Sequence, residues 1–273
     1  MSEDALSTLQ WLLEAGAGDA IGDVPVNRLV AVPTPPAPLQ ARTAPQPPRP
    51  AAPARPSPPV LEGDGIGNAQ AIAAAATSLA ELKSALEAFD GCGLKRTATN
   101  TVFADGTPSG GILFIGEAPG RDEDRIGKPF VGRAGQLLDK MLLAIGLDRN
   151  VNAYITNVIN WRPPDNRDPS PEEAAQCLPF LRRHIELAQP QLIVLLGAVA
   201  ARHVVGGSEG IMKLRGRWME YRVGDHMVPL MPTLHPAYLL RQPAHKKLAW
   251  RDLQAIATKM EETGLPRVPM HAN

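Results

Sequence analysis

The sequence predicts an α/β protein: a three-layer α/β/α sandwich around a central, mainly parallel sheet of four strands. Two observations carry this. Short, continuous apolar runs alternate with longer segments at helical spacing, which is the pattern of a parallel sheet covered on both faces. The runs also end in glycine, proline or asparagine, where chemistry-bearing loops leave such a sheet.

The chain has 273 residues, 28 of them proline, about twice the usual share. The prolines are concentrated, with twelve of the thirty residues from Ala31 to Val60. Such a stretch cannot pair its backbone donors, so residues 31–65 are expected to form a disordered proline/alanine-rich linker. Ahead of it, residues 1–30 hold Leu6, Leu9, Trp11, Leu12 and Leu13 near helical spacing. This short helix either rests on its own domain or docks a protein partner. Net charge is zero by cancellation: residues 1–65 carry 4 basic and 7 acidic side chains, and residues 66–273 carry 24 and 21. The small positive excess of the larger part permits a polyanion partner.

The folded domain is expected over residues 66–264, with a tail at 265–273. Ala69–Phe89 is Ala/Leu-rich and helical in period. The run from Gly111 to Ile115 reads as a buried strand, followed by a helix over Ala134–Ile145 and a strand over Ala153–Thr156. Ser170 caps a helix opened by Pro171, with Glu172 and Glu173 in its first turn. Leu192–Leu196 is the third strand, with a helix from Ala198. Met227–Thr233 is the fourth, and Lys246–Glu261 closes with a helix. The acidic N-terminus lacks a signal layout, and the longest apolar run, Leu192–Ala201, is too short to span a bilayer. A cytoplasmic, monomeric protein without membrane contact is expected.

The first loop, Gly116 to Asp124, carries four carboxylates within eight residues and loses a backbone donor at Pro119. That chemistry repels phosphate and suits either a metal cluster or a water-activating base. Gly127-Lys-Pro-Phe130-Val-Gly132 presents an aromatic on a glycine-flanked turn, as a core anchor or a stacking platform for a planar ligand. Asn157 ends the second strand, where an amide offers a donor and an acceptor to a nucleobase edge. The fourth strand delivers His235-Pro-Ala-Tyr238-Leu239-Leu240-Arg241 on a proline-bent loop.

In order, Gly116–Gly120, Gly127–Leu138, Tyr154–Val158, Arg162–Pro169 and His235–Arg241 resemble the uracil-DNA glycosylase superfamily, most closely its family four. The resemblance implies hydrolysis of the N-glycosidic bond of uracil in single- or double-stranded DNA, with an abasic product. It implies Glu117 and His235 as catalytic residues, with Glu123 a further candidate for holding water. Glu117, Ala118, Phe130, Asn157 and His235 would bind uracil. Tyr238, Leu239 and Leu240 would wedge the duplex, and Arg241 would clamp a phosphate. A non-catalytic module binding uracil or abasic DNA and a metal-dependent nuclease built on the 117–124 carboxylates are the alternatives.

The resemblance breaks at one point. Family four carries an iron–sulfur cluster on four cysteines, and this chain has only Cys92 and Cys177. Phe89 and Trp161 stand at the other two positions. No cluster and no diffusible cofactor are expected, with the two aromatics packing in its space. The stretch Asn160–Pro169 also lacks the inserted histidine-bearing loop of relatives that trap uracil DNA covalently, so turnover is expected.

Overall fold

The computed structural model describes residues 64–268. The N-terminal helical segment, the linker up to residue 63 and the end of the tail lie outside the described residues. Six strands form one sheet: β1 (Ala104–Gly106), β2 (Ile112–Gly116), β3 (Ala153–Asn157), β4 (Leu192–Leu196), β5 (Met219–Val223) and β6 (His226–Thr233), in the order β1-β3-β2-β4-β6-β5. The four inner strands are mutually parallel and are the four the sequence predicts. The two edges, β1 and β5, are antiparallel additions. Both escape the apolar pattern for a physical reason: β1 reads Ala-Asp-Gly, and β5 alternates charged and apolar residues on a half-exposed edge.

β2, β3 and β4 are buried on both faces, so alternate side chains feed two cores. Leu113, Ile115, Ile193 and Leu195 join the core under α1 (Asp64–Ala75), α2 (Leu79–Ala88) and the long helix Pro171–Ala188. Ile112, Phe114, Leu192 and Val194 join the core under the helices Arg133–Leu143 and Lys246–Glu262. The helical stretch expected over 69–89 is two helices, because Ser78 takes an extended backbone and its hydroxyl caps the second by accepting from the Glu81 amide. Ser170 caps the helix at Pro171 with a full capping box through Glu173.

Parallel pairing brings the strands' carboxyl ends to one edge. Gly116 sits opposite Asn157, and Leu196 opposite Thr233. Among the described residues no helix is long and apolar enough to cross a membrane.

Candidate active site

A cavity of about 490 Å³ opens at that edge, lined by Glu117, Ala118, Phe130, Asn157, His235 and Tyr238 among others. The backbone of Glu117 is fixed because the β2–β3 pairing continues past the strands: Ile159 N–H donates to the Glu117 carbonyl at 2.9 Å. Its side chain is half-buried. Burial and the Asp168 carboxylate raise its pKa above the ordinary carboxylate value, against the pull of Arg202 and Arg241.

Asn157 is 2% exposed, and its Oδ1 has no hydrogen-bond partner among the described residues. An orphaned buried acceptor costs about 1–3 kcal/mol, so this end of the amide is available to a donor that enters the cavity. A Cβ placed on Gly116 would lie 2.4 Å from that oxygen and 2.6 Å from the Phe130 ring. Glycine at the end of β2 is what lets the amide and the ring close on one spot.

Phe130 is 5% exposed and sits in the left-handed region at φ 54°, a conformation that strains any residue with a Cβ. Its turn is braced from the following helix by Gly135, where a Cβ would lie 1.9 Å from the Phe130 carbonyl oxygen. The Phe130 and His235 rings face each other with centroids 5.4 Å apart.

His235 caps the short helix Pro236–Arg241, its Nδ1 accepting from the Ala237 N–H at 3.1 Å. The segment expected as a bent loop is therefore helical, with Pro236 in its first turn. Burial, aided by Arg241, lowers the His235 pKa to about 4. The ring is thus neutral at pH 7 with its proton on Nε2, a donor without a protein partner among the described residues.

The structure places the remaining candidates as follows. Glu123 is engaged by backbone amides: Oε2 accepts from Gly120 N–H at 3.1 Å, and Oε1 from Val131 and Gly132 N–H at 2.9 Å each. It ties the β2 loop to the Phe130 loop. Leu239 is 1% exposed and belongs to the core, whereas Leu240 is 38% exposed. Tyr238 stands at the cavity wall, hydrogen-bonded to His245. The 117–124 carboxylates do not converge on a metal either. Asp124 accepts from the Thr99 and Asn100 amides, and Asp122 pairs with Arg125. Arg167 and Asp168, part of the Arg162–Pro169 motif but given no role from the sequence, line the cavity from the loop before Ser170.

Residues 103–254 match the family described as the Uracil DNA glycosylase superfamily, more than half of the chain. The chain belongs to the uracil-DNA glycosylase superfamily. Its relatives place it with family four. It is 40% identical over 176 residues to a Type-4 uracil-DNA glycosylase of Thermotoga maritima, covering 63% of this chain and 90% of that protein. It is 38% identical over 184 residues to one of Sulfurisphaera tokodaii, covering 66% and 83%. It is 41% identical over 169 residues to one of Archaeoglobus fulgidus, covering 60% and 84%.

The four-cysteine cluster of family-four glycosylases does not fit the residues found here. Cys92 and Cys177 are buried, and Phe89 and Trp161 fill the same core beside them, each almost fully enclosed. Phe89 packs on Phe180 with centroids 5.1 Å apart, and Trp161 Nε1–H donates to Thr101 Oγ1 at 3.0 Å. Both rings are satisfied by protein neighbours, and neither can ligate iron.

Proposed function

We propose that this chain removes uracil from DNA by hydrolysing its N-glycosidic bond, leaving an abasic site, and does so without an iron–sulfur cluster. The observation that carries the reading is the unpaired, buried Asn157 Oδ1 beside the Phe130 ring. An acceptor and an adjoining N–H₂ donor suit the N3–H and carbonyl of uracil, and the ring offers it a stacking face. Ala118 backbone closes the base site.

As the bond lengthens, positive charge grows on the sugar and negative charge on the base. Glu117 faces the former and takes the proton of the attacking water, its raised pKa favouring that transfer. The water oxygen bonds to the sugar carbon while the bonding pair leaves with uracil. The neutral His235 donates from Nε2 to the uracil oxygen where that charge collects, without itself bringing a full positive charge into the site. Leu240 fills the gap left by the flipped base, Tyr238 supports it, and Arg241 meets a phosphate. Residues 66–264 form the catalytic domain.

The test is incubation of uracil-containing single- and double-stranded oligonucleotides with EDTA present, followed by alkali. Strand breaks that appear only after alkali support the reading. Tight binding without breaks would mean a lesion-binding module, and breaks before alkali a nuclease. Stoichiometric iron with a visible charge-transfer band in the purified protein would overturn the cluster-free part.

A further inference from the structure

Phe130 holds an unfavourable backbone conformation at the heart of the site, and a further brace on it comes from outside its own turn. The carbonyls of Pro129 and Phe130 both point to Arg149, a residue outside the cavity on the loop entering β3. Arg149 Nη1 donates to Pro129 O at 3.1 Å and Nη2 to Phe130 O at 2.8 Å. Its remaining donors are taken by carboxylates: Nη1 to Asp105 at 3.1 Å, Nε to Asp139 at 2.8 Å and Nη2 to Asp139 at 2.6 Å. All five N–H groups of the guanidinium are thus spent, in a side chain only 11% exposed.

The two anchors are rigid elements. Asp105 lies on β1, paired antiparallel with β3, and also holds Lys128 at 2.9 Å, one residue before Pro129. Asp139 lies on the helix Arg133–Leu143 that begins just after the Phe130 turn. A planar fork fixed at both ends and donating to two successive carbonyls defines the orientation of that peptide, and so of the ring attached to it. A lysine has neither the planarity nor the number of donors to do this.

We propose that Arg149 is a positioning residue for base recognition, setting the Phe130 ring against the flipped base through the Pro129 and Phe130 carbonyls. This rests on the reading of Phe130 as the base-stacking ring, and the experiment separates the two. Arg149→Ala, Arg149→Lys and Asp139→Asn are compared with the intact chain by three readouts. These are kcat and KM on uracil DNA, affinity for DNA carrying a tetrahydrofuran abasic analogue, and the ¹⁹F spectrum after fluorophenylalanine incorporation. The chain has five phenylalanines, and Phe130→Leu identifies the line of Phe130.

Arg149→Ala is expected to lower kcat on uracil at least tenfold and to shift or broaden the Phe130 line alone. Affinity for the abasic analogue, which offers no base to stack, stays within about twofold. Arg149→Lys does not rescue. Asp139→Asn, which changes a half-exposed anchor, gives a smaller effect in the same direction and serves where Arg149→Ala fails to fold. An unmoved Phe130 line in Arg149→Ala, or in Asp139→Asn where the former does not fold, overturns the proposal. So does a loss of abasic-DNA affinity in step with kcat. A Phe130 line that moves while uracil excision stays unchanged leaves Arg149 as the brace but refutes Phe130 as the stacking ring.

Discussion

Asn157, Glu117 and His184 illustrate three fates of a buried polar group. Asn157 keeps an unpaired acceptor in the cavity. Asn157→Asp should slow uracil excision and raise the ratio of cytosine to uracil removed, because a carboxylate accepts where cytosine donates. Each mismatched buried group is worth ~1–3 kcal/mol. Phe130→Ala should slow removal of every base without favouring cytosine, so excision from paired uracil and cytosine oligonucleotides distinguishes reader from platform. Glu117→Gln should lower kcat by about 100-fold or more while substrate affinity changes little, since the charge matters mainly in the transition state. Equal losses in single-turnover rate and binding would make Glu117 structural. His184 is sealed in the core against Tyr154 and Phe103, and burial lowers its pKa to about 3. Between that value and the ordinary 6.5 the unfolded chain binds more protons, so stability falls as pH drops through this window, at up to ~1.4 kcal/mol per pH unit. Denaturant melts from pH 7 to pH 4 should show the decline, with His184→Gln less stable at pH 7 but shallower in slope.

Among the elements, the loop after β2, the Phe130 turn and the helix Arg133–Leu143 are tied together through backbone groups. Glu123 takes three amides from two segments, and Gly135 lets a helix abut the Phe130 carbonyl. Gly135→Ala should therefore cost excision activity far more than its ~1–3 kcal/mol of overpacking costs stability, measurable as kcat against Tm. These relations also mark what sequence could and could not convey. The four inner strands are legible because burial on both faces leaves uninterrupted runs such as Leu192–Leu196. Edge strands β1 and β5 are not, since a half-exposed edge needs no such run. Glu117, Asn157 and His235 are legible as candidates because each stands at or just past a strand's carboxyl end, and Phe130 because glycines flank its turn; the structure brings all four around one cavity. The occupation of Glu123 and the burial of Leu239 depend on partners far along the chain or across the core, which spacing does not encode. Arg149 is silent for the same reason.

At the scale of the whole molecule, α1 begins at Asp64, shortly after the last proline of the proline-rich stretch, Pro59. Removing residues 1–63 should leave uracil excision from short oligonucleotides within about twofold of the full chain, and an inactive or unfolded truncation would assign the N-terminal segment to the enzyme itself. The core beneath α1 and α2 has a consequence of a different kind. Phe89, Trp161 and Phe180 close that region with the chain's own carbon, beside two thiols. A protein whose interior is completed by inorganic sulfide and iron depends on a delivery apparatus to finish folding. On the cluster-free reading proposed above, the ribosome alone completes this one. Synthesised in a purified translation mixture containing a chelator, it should reach the same folded yield as when iron and sulfide are supplied, and its repair capacity would then survive metal starvation.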